Sequence, residues 1–267
     1  MLGLGSSIVR GGVLEEWTPL KLGSALDLWL QHKTGITSDE SGSVSQWDDQ
    51  SGNSRHAQQD TAGNRPSFSS GKFVHFDDDS DQDYLTLATG TGGIEYTANG
   101  SGVSQPFTIM VGMIRDTNTE SDRFIGGDSS EFIGIGGAGT ALSADRIQVR
   151  GAGTLCVPIF DDHDILTIGE EYVLTVTRDT SMNIRVYKNN DALLLDSSTS
   201  GYDADNPTRV AMSNDSTSMD LKRIGAGAST TNTNAFDGKI FDVIVCNTLL
   251  SDEDRNLAIN YMKGSFG

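Results

Sequence analysis

From Leu22 onward the chain is written in short apolar or alternating runs separated by Gly, Asn, Asp and Ser, the pattern of an all-β sandwich or barrel. The runs predict strands at Ala25–Leu30, Gly71–Phe76, Tyr84–Leu87, Phe107–Arg115, Arg123–Gly126, Phe132–Ile135, Arg146–Arg150, Tyr172–Arg178, Asn183–Lys188, Leu193–Asp196, Leu221–Gly225 and Lys239–Cys246. Within Tyr172–Arg178, Tyr172, Leu174 and Val176 fall on one face and Val173, Thr175 and Thr177 on the other, as in a half-buried antiparallel strand. Asn189, Asn190 and Asp191 read as the turn of a hairpin. The strand spacing leaves little room for crossover helices. The period changes to a helical one only near the C-terminus, where Ser251 is the N-cap, Asp252, Glu253 and Asp254 suit the first turn, and Gly264 ends the helix. Its expected apolar face is Leu257, Ala258, Tyr261 and Met262. The fold class read from these signals is all-β, an antiparallel sandwich with one short C-terminal helix.

Two units are expected: an N-terminal arm over residues 1–20 and the sandwich over 21–267. The arm interleaves Gly3, Gly5, Gly11 and Gly12 with apolar residues, too many glycines for a stable helix and too many apolar side chains for a free tail. Ordering backbone costs about 1–2 kcal/mol per residue, more than so short a segment regains by burying itself. Leu2, Leu4, Ile8, Val9 and Val13 are therefore the candidate partner-binding residues, against another subunit or a particle shell; the plainer reading is an edge strand packed on its own domain.

Composition sharpens this picture in three ways. Hydrophobic residues are 36% of the chain and there are 31 glycines, which implies many turns and thin cores. The formal charge is −18, carried mostly by Asp, the carboxylate of turns, so phosphate backbones and anionic membrane surfaces are repelled and neither is an expected partner. Cys156 and Cys246 have no CxxC spacing and no nearby His, and read as two buried thiols. The first residues lack the pattern of a signal peptide and no apolar run reaches membrane-spanning length, so synthesis in a reducing cytoplasm is expected.

Gly134 to Gly139 satisfies the spacing G-x-G-x-x-G, but another short β run follows within a few residues, so the segment reads as a glycine-rich hairpin and not a dinucleotide loop. There is no phosphate-cradling G-x-x-x-x-G-K-[ST] and no G-x-S-x-G nucleophile elbow. His32, His56, His75 and His163 are scattered without metal spacing and read as surface or packing residues. The densest carboxylate cluster runs from Asp77 to Asp83. Asp77, Asp79, Asp81 and Asp83 alternate along it as candidate calcium ligands, although Gln82 and Ala88 stand where an EF-hand needs Gly and Glu; the plainer reading is a solvated corner.

Leu28-Trp29-Leu30, then Val44-Ser45-Gln46-Trp47-Asp48-Asp49-Gln50-Ser51-Gly52-Asn53 and Ala57, resembles the opening of concanavalin A-like, laminin-G-like jelly-roll domains. Arg65-Pro66, Phe73-Val74-His75-Phe76-Asp77 and Asp83-Tyr84-Leu85 continue the likeness, with Asp78 in place of a Gly. Phe107-Thr108-Ile109, Phe236-Asp237-Gly238-Lys239-Ile240 and Leu250-Ser251-Asp252-Glu253 complete it, so the resemblance spans about Leu22 to Gly264. It implies that Trp29, Trp47, Phe76, Tyr84, Phe107 and Val243 are at least half buried. Glycosidases of this fold carry E-x-D-x-E or E-x-D-x-x-E on one strand; this chain has neither, and Glu170 and Glu171 point to opposite faces. The resemblance, with the Gly-rich start, implies a non-catalytic virion structural protein of a bacteriophage, a capsid decoration or tail-associated module. Its expected partners are copies of itself and other virion proteins, and its expected place is the virion. The alternatives are a carbohydrate-binding, lectin-like module with a host-surface glycan as ligand and, behind it, a glycan hydrolase.

Overall fold

The computed structural model describes residues 16–68, 71–77, 82–87, 93–99, 103–117, 122–127, 131–135, 147–151, 154–156, 166–194, 204–211, 218–227 and 235–266. Two antiparallel sheets face one another. The first has eight strands: Leu26–Leu30, Gly238–Cys246, Phe107–Arg115, Tyr172–Arg178, Asn183–Lys188 and Asp191–Ala192 lie side by side in that order, with Val74–Phe76 beside Gly238–Cys246 and Val210–Ala211 beside Asn183–Lys188. The second has nine, in the order Thr154–Cys156, Ile147–Gly151, Phe132–Ile135, Asp122–Gly126, Arg223–Ile224, Leu85–Leu87, Ala57–Gln58, Val44–Trp47 and Ile36–Ser38.

Alternation along each strand sends one set of side chains between the sheets, where Leu28, Trp47, Phe76, Phe107, Phe124, Ile133, Leu174 and Val243 belong to one continuous core. Two arginines enter this core from the first sheet. Arg115 reaches across to Asp122 at 3.9 Å, and Arg178 donates to the carbonyls of Gln105 and Tyr96 at 2.8 and 2.9 Å while lying over the Phe107 ring. Burial pushes the Arg178 guanidinium down to about 10. All six residues expected to be at least half buried are so placed, Tyr84 as the most exposed of them.

The Trp47 to Asn53 segment staples the first strand to the next loop. Trp47 is fully buried and its indole N–H donates to the Gln31 carbonyl at 2.9 Å. Asp49, also buried, accepts from the backbone N–H groups of Trp29, Ser51 and Arg55 and from the Ser51 hydroxyl. Asn53 Nδ2 donates to the Leu26 carbonyl at 2.9 Å, and Gly52 takes φ +92°, a conformation that favours glycine.

Several sequence expectations need correcting. Tyr172–Arg178 is buried on both faces, because the helix Asp252–Lys263 lies on the outer side of the first sheet and closes a second cluster of Trp29, Met110, Val173, Ile244, Ala258, Ile259 and Met262. The helix starts as read, with Ser251 Oγ accepting from the Asp254 N–H at 3.1 Å. Its buried face includes Ile259, whereas Leu257 is 37% exposed. The α-helix ends as read, with Gly264 as its C-cap in a right-handed conformation that leads into a short 3-10 turn. The hairpin turn is two residues, Asn189 and Asn190, since Lys188 pairs with Asp191; the strand after it is Asp191–Ala192, and Leu193–Leu194 lies beyond it. Leu221–Gly225 divides into Met219–Leu221, paired with Ile94–Tyr96, and Arg223–Ile224 in the nine-stranded sheet.

Candidate functional site

The expected site residues fall unevenly on the described structure. Leu2, Leu4, Ile8, Val9 and Val13 lie outside the described residues, as do Asp79, Asp81, His163 and Gly136 to Gly139. Asp77 and Asp83 are brought together: the Asp77 N–H donates to Asp83 Oδ2 and the Asp83 N–H to the Asp77 carbonyl, each at 3.1 Å, so the two residues close the neck of their own loop. Beside them, at the edge of the first sheet, His75, Asp116 and Asp237 offer ligand atoms within 4.8 Å of one another. The charge there is already answered, because the Lys239 ammonium bonds both oxygens of Asp116 and His75 Nε2 lies 3.1 Å from Asp116 Oδ2.

A different surface gathers polar and cationic side chains. On the outer face of the nine-stranded sheet the strand register aligns Arg150, Phe132, Gly126, Arg223, Thr86, Gln58, Gln46 and Thr37 in one continuous rung across eight strands. One step along the strands, Gln148, Gly134 and Arg123 form a second, shorter rung. Their odd and even neighbours, such as Val149, Ile133, Phe124, Ile224, Leu85, Ala57 and Trp47, point the other way into the core. Thr37 and Thr86 are exposed, and Gln46, Gln58, Arg123, Gln148, Arg150 and Arg223 are partly so.

The two ends of this face differ in chemistry. At one end Gln58 Nε2 donates to Gln46 Oε1 at 2.6 Å, and Gln46 in turn donates to Asp48, an amide ladder with side-chain donors and acceptors. At the other end guanidinium groups lie on aromatic rings: Arg123 over Phe132 with 4.0 Å from Cζ to the centroid, and Arg223 over Tyr84 at 4.2 Å. Such stacking holds the planar fork of an arginine in one orientation. The Nε and Nη1 atoms of Arg123 and Nε of Arg150 are shut off from water without a hydrogen-bond partner. Burial, and next the Arg150 charge, lower the Arg123 pKa from its ordinary value. The sequence held a trace of this: Arg123, Arg150 and Arg223 sit at alternating positions of predicted strands in a strongly acidic chain. Only the sheet order, invisible in the sequence, places them together.

Two concavities flank the C-terminal helix instead. One, of about 480 Å³, is lined by Arg185, Tyr187, Asn190, Asp252 and Arg255; there Arg255 pairs with Asp252 at 2.8 Å and covers the Tyr187 ring. The other, of about 420 Å³, lies among Trp17, His32, Leu257 and Tyr261, where His32 meets Asp242 and Tyr261 accepts from Gln31. The outer sheet face, where among the described residues Arg123 and Arg150 have no carboxylate partner, is the stronger candidate.

No protein-family model matches the chain, and no curated protein matches it. Among solved structures it is similar to domain 4 of AbnA, a GH43 extracellular arabinanase from Geobacillus stearothermophilus, in complex with arabinotriose: 13% identity over 87% of this chain and 98% of that one, with a TM-score of 0.50. It is also similar to the binding domain of Paraclostridial Mosquitocidal Protein 1 (15% identity, 86% of this chain and 53% of that, TM-score 0.47). A third likeness is to botulinum neurotoxin type C, whose cell entry is described as dependent upon interaction with two ganglioside molecules (13%, 89% and 51%, TM-score 0.49). The chain spans about half the length of the last two. At these identities the likeness is one of fold, that of an antiparallel β-sandwich.

Proposed function

We propose that this chain is a non-catalytic carbohydrate-binding module that lays an extended saccharide across the outer face of its nine-stranded sheet. The observation that carries this reading is the unbroken outward rung from Arg150 to Thr37. At about 4.8 Å per strand it runs roughly 34 Å. Six of its eight positions carry amides, hydroxyls or guanidinium groups, which suit sugar hydroxyls, while Gly126 has no side chain and Phe132 is buried. Glycoside hydrolysis would require two carboxyl groups about 5–10 Å apart across the bound sugar, and the two rungs carry none among the described residues. The likeness in fold to a domain solved with arabinotriose is consistent with a sugar ligand.

The test is a glycan array read beside affinity electrophoresis on polysaccharide gels, with the double variant Gln58→Leu/Arg223→Leu at the centre of the face. Glycan retention that disappears in the variant, with an unchanged circular dichroism spectrum, is the expected result. Retention that the variant leaves intact would remove the sheet face from consideration. Attachment to a virus particle, the other implication of the sequence resemblance, rests on residues 1–13, outside the described residues, and nothing in the described fold favours it over glycan binding.

A further inference from the structure

Among the described residues, four arginines lie beside carboxylates and a fifth is held by backbone carbonyls. Arg55 lies 3.4 Å from Asp27, Arg65 4.0 Å from Asp39, Arg115 3.9 Å from Asp122 and Arg255 2.8 Å from Asp252, while Arg178 is satisfied by backbone carbonyls. In a chain with 37 acidic and 19 basic residues this is the expected state, since a carboxylate is nearly always within reach. Arg123 and Arg150 differ from the other described arginines without a carboxylate, Arg185 and Arg223, in lying together with guanidinium nitrogens that are shut off from water and have no hydrogen-bond partner. They sit beside each other on the outer face, Arg150 directly opposite Phe132 in the sheet and Arg123 stacked on that same ring. Among the described residues neither has a carboxylate partner.

Two like charges held together and partly stripped of water are costly unless an anion joins them. Folding alone gives no reason to gather them. A ligand that brings a carboxylate does, because its oxygens can accept from the guanidinium nitrogens that are not shut off, Nη2 of Arg123 and the two terminal nitrogens of Arg150, and the Phe132 ring holds the Arg123 plane in place. The density of that ligand's charge is also constrained. A net charge of −18 repels a densely charged polyanion over the roughly 8 Å that physiological salt leaves unscreened, so isolated acidic groups on an otherwise neutral polymer suit this surface best.

We infer that, given the sheet face as a glycan platform, its Arg123 and Arg150 end is an acidic-sugar subsite that takes a uronic acid residue spaced along a neutral polysaccharide, while the Gln58 and Gln46 end takes the neutral sugars beside it. The subsite rests on the proposed glycan reading, and the two can fail separately.

The experiment compares glucuronoxylan with the same polymer after chemical reduction of its carboxyl groups, by isothermal titration calorimetry, on the full chain and on Arg150→Gln, with Gln58→Leu/Arg223→Leu as the platform control. The expected result is binding to glucuronoxylan, weakened about tenfold or more by carboxyl reduction and by Arg150→Gln alike. The melting temperature of Arg150→Gln should be unchanged or raised, because the substitution removes an unpaired charge. Equal affinity for both polymers, abolished by the platform control, would overturn the uronate subsite and leave the glycan platform standing. No binding to either polymer, or binding that the control leaves intact, would overturn the platform reading. Two further arms guard the assignment. Binding of dextran sulfate without glucuronoxylan would replace the spaced uronate by a sulfate, and equal binding of poly-glutamate would make the arginines a general acidic-surface contact; either overturns the proposal.

Discussion

Asp49 shows how much a single side chain organises here. It is buried and accepts four hydrogen bonds, three of them from backbone N–H groups that would otherwise be unpaired in the interior. Asp49→Ala should cost roughly 2–4 kcal/mol, each abandoned donor contributing about 1 kcal/mol or more, read as a lower midpoint in urea at unchanged slope. Gly225 offers a steric counterpart: its φ is +86° and an added Cβ would stand 2.1 Å from the Phe76 ring, so Gly225→Ala should destabilise the fold as well. Cys246 lies in the second cluster, where burial, and next the charge of Asp27, push its thiol up to about 12. In a Cys156→Ser background, Cys246 should therefore resist a thiol reagent near neutral pH until the protein is unfolded; prompt reaction in the native state would contradict its placement. Asp49 was legible in the sequence only as part of the family-like segment Val44 to Asn53, since the donors it answers come together with the fold. The orphaned guanidinium of Arg123 was not, since its meaning depends on what is missing around it.

At the scale of elements, several strands announced themselves: Phe107–Arg115, Phe132–Ile135, Tyr172–Arg178 and Asn183–Lys188 begin and end where their apolar runs do. The two- and three-residue strands, such as Ala57–Gln58, Ile94–Tyr96 and Arg223–Ile224, carry too few side chains to show a period and exist because a neighbour pairs with them. The helix was legible from its cap and charge pattern, but its buried stripe takes in Ile259 where Leu257 was expected. Leu257 and Ile259 are equally apolar in the sequence, and only the sheet beneath decides which is covered. The energetic consequence is direct. Ile259→Ala, at a fully buried site, should cost roughly 2–5 kcal/mol, whereas Leu257→Ala, at a site 37% exposed, should cost well under half as much. Thermal melts of the two variants check the orientation of the helix.

At the scale of the molecule, the described residues stack in three layers, the nine-stranded sheet, the eight-stranded sheet and the helix, with the central strands Phe107–Arg115, Tyr172–Arg178 and Gly238–Cys246 buried on both sides. Burial of its titratable groups sets its alkaline limit. Cys246 is raised from 9.0 and Tyr261 from 10.0, each to about 12, and Tyr96 is raised further by burial and by Asp27. Above about pH 9 the unfolded chain has released protons that the folded chain still holds, so stability is full below that pH and falls as pH rises toward 12. The melting temperature should drop steadily from about pH 8 to about pH 11; a flat profile would show that these groups are open to solvent. On the proposed reading, the outer side of the nine-stranded sheet is the face that meets the ligand. Amide chemical-shift mapping during titration with glucuronoxylan oligosaccharides tests this most directly. The largest saturable shifts are expected in Asp122–Gly126, Phe132–Ile135, Ile147–Gly151 and Arg223–Ile224, with smaller ones in Ala57–Gln58 and Val44–Trp47. Shifts confined to the helix grooves or to the His75 and Asp116 corner, or no saturable shifts with any oligosaccharide, would contradict it.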